Sequence, residues 1–357
     1  MVKGEPALFR RFPELRERVP RHPFVEGATP VAPLQVEGVG GELFVKRDDL
    51  SCPLYGGNKP RKLEFAIGAA LAWGSRRLVT TGGIGTHHGL ATAILGRSAG
   101  LSTTLVLVPQ PVTDEVVETL QLHAAYGAEQ VFASGVPAAA LRVVQAFAGA
   151  ALRGERPFYV PTGGSGARGN LGFVSAGLEL AEQVKAGELP EPAEIFLPVG
   201  TGGTTVGLVL GLKLAGLTTR VTGVLVTDIL PPSSESLARA ARATLRFLRR
   251  RARSVPQVPL EARDFPLVRD QLGGGYGAPT PAAREAVAAA ARAGLELETT
   301  YSGKCLAAMR AGASVQRGPV LFWNTYSAVD VARAAPLRPD PSLVPEPLQR
   351  FLRAPRV

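Results

Sequence analysis

Gly56-Gly57-Asn58-Lys59-Pro60-Arg61-Lys62-Leu63-Glu64-Phe65 is the stretch on which the reading of this 357-residue chain turns. The two glycines allow a turn that a side chain would obstruct. Asn58 suits a helix cap, and Pro60 suits a first helical turn, where its missing N–H is harmless. Leu63, Ile67 and Leu71 recur every four residues, and Gly74 closes the run. Lys59 is therefore expected at the entrance of a short amphipathic helix. Only seven of the 40 basic residues are lysines. A lysine kept in so arginine-rich a chain points to a need for an amine, which can lose its proton and attack a carbonyl as a guanidinium cannot. A lone lysine at a helix start ordinarily just faces water; the rest of the sequence decides against that here.

Together with Lys46-Arg47-Asp48-Asp49-Leu50, the stretch resembles the Schiff-base lysine segment of the pyridoxal-phosphate family of D-cysteine desulfhydrases and 1-aminocyclopropane-1-carboxylate (ACC) deaminases. The resemblance makes Lys59 the cofactor lysine, with Asn58 beside the cofactor. It recurs at five later points and covers nearly the whole chain.

The bulk properties agree with an enzyme of this kind. The length allows two ordinary domains and a large core. Apolar residues make up 45% and charged residues 20%, as in soluble globular proteins. No apolar run reaches a membrane span, and the first twenty residues have no apolar signal core, so a cytoplasmic protein is expected. Two cysteines, Cys52 and Cys305, fit a reducing compartment. The net charge of +10 is partly concentrated between Arg239 and Arg253, where Ala238, Ala241, Leu245 and Leu248 recur at helical spacing. That pattern reads as a solvated helix face over a core stripe. No aromatic interleaving points to nucleic acid.

Along the chain, residues 1–45 read as irregular up to a strand at 42–46. Further strands are expected at 77–81, 103–108, 130–133, 158–160, 195–199, 221–226 and 320–323, with helices between them. Such alternation implies parallel sheets flanked by helices. Residues 254–266 read as a surface connection, and the proline-rich tail from Pro336 as extended.

Three more glycine-rich turns follow strands, where open parallel sheets place ligands. In Thr81-Gly82-Gly83-Ile84-Gly85-Thr86-His87-His88 the resembling family carries Gly-Gly-Ile-Gln-Ser-Asn. Its serine meets the substrate carboxylate, a role implied for Thr86. Its asparagine meets the cofactor's phenolic oxygen, a place taken here by His87. Adjacent histidines without an acidic or cysteine cluster are not a metal site. Pro161-Thr162-Gly163-Gly164-Ser165-Gly166 is where the chain is expected to cross back between domains; Gly166 replaces a usual asparagine. Gly200-Thr201-Gly202-Gly203-Thr204-Thr205 joins a strand to a helix and forms an anion cradle. It is no Walker loop and has the wrong spacing for G-x-G-x-x-G. Taken alone it leaves a dinucleotide site open, with Asp228 as the ribose acid. With Lys59 upstream, the phosphate of an aldehyde cofactor explains both features.

The C-terminal third completes the resemblance. Tyr276 and Tyr301 correspond to tyrosines that face the substrate. Ser302 corresponds to the partner of the pyridine nitrogen, a glutamate in the deaminases and Ser or Thr in the desulfhydrases. Thr325 stands where desulfhydrases have threonine and deaminases leucine. Tyr326-Ser327 departs from a usual Gly-Gly.

The resemblance implies an α/β, two-domain, tryptophan-synthase-β-like fold (fold type II) and a homodimer. Residues 1–62 with 171–357 would form the large cofactor domain and 63–170 the small one. It implies a pyridoxal-phosphate-dependent lyase acting by α,β-elimination on a small β-substituted amino acid, in the manner of D-cysteine desulfhydrase. ACC deamination, or another amino-acid lyase reaction, is the alternative; a nucleotide-binding oxidoreductase is the remote one. A hydroxyl at residue 302 is expected to leave the pyridine nitrogen unprotonated more readily than a carboxylate would.

Overall fold

Short β-branched runs bounded by turns became strands wherever the alternation placed them, as the computed structural model shows. The structure describes residues 4–312 and 318–356. The chain divides into two units, Met1–Phe65 with Ser165–Ala328, and Ala66–Gly164 with Val329–Val357.

The first unit holds a six-stranded sheet. Its strands are β1 (Val31–Pro33), β2 (Leu43–Arg47), β7 (Glu194–Val199), β8 (Arg220–Leu225), β9 (Leu267–Val268) and β10 (Val320–Asn324). Their order is β1-β2-β10-β7-β8-β9, and every pair except β1–β2 is parallel. The register sets Asn324 of β10 opposite Arg47 of β2, and Val320 opposite both Leu43 and Glu194 of β7. The C-terminal ends of β2, β10 and β7 therefore lie side by side. Those ends lead to Lys59, Thr325 and the Gly200 loop, so parallel pairing alone brings three distant motifs to one edge.

Helices Leu171–Lys185 and Gly203–Ala215 pack closely within this unit. A Cβ on Gly207 would fall 2.3 Å from the Asn170 carbonyl, and one on Gly211 2.4 Å from that of Val174. The helix Ser234–Arg249 buries Leu237, Ala238, Ala241, Leu245 and Leu248 and turns its arginines outward, as the periodicity indicated. Residues 1–45 are less irregular than expected. Ala7–Arg11 is helical, and Leu8, Phe9, Phe12 and Leu15 join the main core because they are the apolar face of that short segment.

A buried ionic network ties this unit together. Arg61 donates to Asp48 and Glu179, and Lys46 Nζ lies 2.6 Å from Glu179 Oε1. Trp323 Nε1 donates to Asp48 Oδ2 at 2.8 Å. Burial would push the Glu179 carboxyl up, but Arg61 and Lys46 outweigh it and hold it down to about 2.

The second unit holds a parallel four-stranded sheet, β5-β4-β3-β6, formed by Glu129–Phe132, Ser102–Val108, Arg77–Gly83 and Pro157–Tyr159. The expected placing of the tail differs here. Residues 329–357 group with this unit and not with the larger one. The Tyr126 hydroxyl donates to the Val331 carbonyl, Phe351 packs on Phe132, and Arg350 lies over the Phe132 ring. The tail is also not wholly extended: Glu346–Leu352 is a helix that buries Leu348. The chain passes between units within helix Lys59–Ala72, at Gly164–Ser165 and at Ala328–Val329. Among the described residues no helix is long and apolar enough to cross a membrane.

Removing Glu179 leaves buried cations without a counter-charge, so Glu179→Ala is expected to lower stability by about 3–5 kcal/mol. Denaturant unfolding measures this. In the wild type the contribution is present above the ordinary carboxylate range and is lost as pH falls toward 2, because the folded pKa lies below the unfolded one.

Candidate active site

The turn before Lys59 is pressed onto the end of β10. Gly57 has φ +78°, and a Cβ there would sit 2.5 Å from the Thr325 carbonyl oxygen. Only glycine fits. The Asn58 N–H donates to that same carbonyl at 3.2 Å. The Asn58 side chain then faces both ways: Oδ1 accepts from Lys59 Nζ at 2.7 Å, and Nδ2 donates to Thr204 Oγ1 at 3.2 Å. One asparagine so ties the amine to the glycine loop.

Lys59 is partly accessible yet crowded enough for burial to push its amine down to about 8, against the opposing pull of Glu298. Its Nζ lies 6.0 Å from the centroid of the Tyr301 ring. Tyr301 in turn donates to the Tyr276 hydroxyl at 2.9 Å. Burial and the neighbouring phenol raise the Tyr301 pKa well above its ordinary value, so it stays a proton donor. Of the helix face read from sequence, Leu63 and Ile67 are fully buried, whereas Leu71 is exposed and Ala70 takes its place.

The loop after β7 has the form of an anion cradle. Gly202 has φ +82°, and a Cβ there would strike Leu237. No side chain caps the helix that follows, and its first turn carries no acid. The Thr205 Oγ1 is buried with no hydrogen-bond partner among the described residues. The Thr201 hydroxyl meets Ser165 Oγ at 2.6 Å, and Lys62 Nζ approaches the same Ser165 oxygen at 3.5 Å. Lys62 was not singled out from sequence, although its position three residues after Lys59 puts it on the same helix face. It is buried, and burial together with the Lys59 charge lowers its pKa well below that of an ordinary lysine. An anion at this loop would supply what the orphaned hydroxyl and the open helix end lack.

Asp228 is not placed as a ribose-binding acid. Its Oδ1 accepts from the Tyr276 N–H at 2.9 Å, and the carboxylate fills the space beside Gly275. It shapes the turn that carries Tyr276. Ser302 is fully buried at the first position of helix Ser302–Ala311, next to Tyr301, whose ring edge lies beside Gly200.

In the second unit Thr86 caps helix His87–Ser98 by accepting from the Gly89 N–H at 3.2 Å. His123 is buried and meets the Thr86 carbonyl through Nε2 at 3.1 Å; burial pushes it down to about 4, so it is a neutral donor. His87, at the first helical position, pairs Nε2 with Glu115 Oε1 at 2.9 Å. Sequence reasoning identified His87 but gave no sign of Glu115 or His123, which lie on another helix.

A family profile described as "Pyridoxal-phosphate dependent enzyme" matches residues 23–325. The chain belongs to this family. It is 32% identical over 328 residues to the nocardicin C-9' epimerase of Nocardia uniformis subsp. tsuyamanensis, covering 90% of this chain and 97% of the relative. It is equally 32% identical over 326 residues to the D-cysteine desulfhydrase of Salmonella typhimurium, covering 87% and 95%. A solved ACC deaminase homologue superposes with a TM-score of 0.75 at 25% identity, covering 91% of this chain and 96% of that one. The fold is thus the fold-type-II arrangement, with parallel sheets flanked by helices, and pyridoxal phosphate is the family's cofactor.

The residues of the first unit fit that cofactor: a depressed amine for its aldehyde and a cradle for its phosphate. Borohydride reduction of the loaded enzyme is expected to fix the cofactor on Lys59, and Lys59→Ala to abolish the visible band, as mass spectrometry and absorbance report. In the cofactor-free protein, amine-directed labelling of Lys59 should rise with a midpoint near pH 8, not near the ordinary 10.5. Thr205→Val keeps the shape but removes a hydrogen bond to a charged group. It should weaken cofactor binding about tenfold or more, from a loss of about 1.5 kcal/mol, in an equilibrium titration.

Proposed function

We propose that this enzyme catalyses α,β-elimination on a small β-substituted amino acid, with cysteine, and D-cysteine first, as the substrate to test. The products from cysteine are pyruvate, ammonia and sulfide. The Lys59 amine carries the reading: it is tuned by burial, held by Asn58 and tied through that asparagine to the cradle. Bound pyridoxal phosphate supplies an electron-withdrawing ring that makes the substrate's α-proton acidic. The chain supplies placement and proton transfer. The Lys59 amine would hold the cofactor through its aldehyde carbon and would be the base for the α-proton. Gly200, Thr201, Gly202, Gly203, Thr204 and Thr205 hold the phosphate, with Lys62 as counter-charge. Thr86, which caps a helix N-terminus, is the residue to which the resemblance gives the hydrogen bond to the substrate carboxylate. The Tyr301–Tyr276 pair is a chain of O–H donors that can protonate a departing thiolate.

Elimination is favoured over ring opening of the cyclopropane substrate because residues 302 and 325 are a serine and a threonine. Neither is the glutamate or the leucine that the resemblance associates with deaminases. The relationship to a desulfhydrase at 32% identity supports the same choice.

The equal relationship to an epimerase gives a second reading. Inversion at an α-carbon needs a proton donor other than the lysine. The His87–Glu115 pair, an imidazole hydrogen-bonded to a carboxylate, has that chemistry.

Keto-acid assay separates the readings. Pyruvate from D-cysteine, with no 2-oxobutyrate from ACC, is expected. Thr325→Leu should lower kcat/KM for elimination about tenfold, about 1.4 kcal/mol of transition-state stabilisation. Faster 2-oxobutyrate release from ACC would overturn the choice. Solvent deuterium appearing at an inverted α-carbon, without keto acid, would favour epimerisation.

A further inference from the structure

Ser302 does not stand alone. Its Oγ lies 2.9 Å from Glu298 Oε1 and 3.2 Å from the Glu298 carbonyl, and it also accepts from the Glu298 N–H at 3.0 Å. Glu298 is 8% exposed. Its carboxylate gathers the N–H groups of Thr300, Tyr301 and Ser302 at the start of helix Ser302–Ala311, with distances of 2.6 to 3.1 Å. These contacts hold a negative charge at a helix N-terminus, the position where it is most stable.

A serine has one proton to give. Of the two acceptors on Glu298, the carboxylate oxygen is the nearer and is charged, so the hydroxyl donates there. The oxygen of Ser302 is then left as an acceptor. An acceptor cannot solvate the lone pair of a neutral pyridine nitrogen; it can only receive an N–H.

We infer that Glu298 is a positioning residue which, acting through Ser302, holds a proton on the ring nitrogen of the bound cofactor. This rests on the assignment of Ser302 to that nitrogen. The pair is intermediate between the two known arrangements: the hydroxyl makes the contact, and the carboxylate charge stands one hydrogen bond behind it. Charge complementarity is the reason. Lys62 is buried and Lys59 half-buried, and Glu298 is the acid whose field opposes the depression of the Lys59 amine. The buried carboxylate so serves a helix cap, a catalytic amine and a ring proton with one charge.

The test uses the holoenzyme loaded with pyridoxal phosphate labelled with nitrogen-15 in the ring. In wild type the nitrogen signal is expected at the pyridinium position across neutral pH. In Glu298→Gln, which is isosteric and retains one acceptor for the helix N–H groups, it should move to the free-pyridine position. Ser302→Ala leaves the Glu298 cap in place and should give the same displacement, and the double variant no more than either. A merely structural role for Glu298 would lower stability without moving the signal. A wild-type signal at the free-pyridine position, or one unmoved in both single variants, overturns the inference while the cofactor reading stands. A wild-type protein that takes up no cofactor overturns both, and the visible band reports that separately.

Discussion

The buried bond between Arg61 and Asp48 is the constraint on which the catalytic unit depends. Arg61 follows Lys59 by two residues, and Asp48 follows β2 directly. Trp323 of β10 donates to the same carboxylate, and Arg61 extends to Glu179 on the helix that packs against the phosphate-loop helix. Four elements meet at one buried cluster of Arg61, Asp48, Glu179 and Trp323. Such a cluster adds little net stability, because removing charges from water offsets most of their attraction. Its strength lies in geometry. A planar donor fork accepts few arrangements, so the helix entrance that carries Lys59 has few places to go.

The chemistry is then arranged by partial desolvation. The Lys59 amine is depressed enough to be nucleophilic near neutral pH and remains accessible enough to react. The Tyr301 phenol is shifted in the opposite direction by the same burial, which makes it a donor. A base and an acid sit within one aromatic contact because burial disfavours whichever form is charged. The acid Glu298 keeps its place because three backbone N–H groups and a hydroxyl surround it. A carboxylate satisfied that way adds charge to a site without adding a second base.

The same logic separates what the family shares from what this chain alters. The cradle and the lysine segment keep the form expected of a pyridoxal-phosphate enzyme. His87, Gly166 and Tyr326 do not follow the desulfhydrase pattern. His87 has found a partner in Glu115, so its substitution brings a titratable pair and not merely a larger ring.

The sequence by itself determined the class of fold and the local form of the lysine segment and of the glycine loop. These rest on local chemistry: a strand, a glycine turn and a helix start are written in consecutive residues, and Lys59 and Gly200–Thr205 each carry their own signal. Even Leu71 was misplaced only by the drift of a 3.6-residue period against a spacing of four. Tertiary structure alone decided who stands behind whom. Glu298 behind Ser302, Glu115 beside His87, His123 under Thr86 and Asp228 beneath Tyr276 are pairings whose energies depend on burial and on contacts between separate segments or across a turn. The tail joined the smaller unit for the same reason. Its prolines described its local backbone, but the aromatic and hydroxyl partners that hold it lie some two hundred residues away.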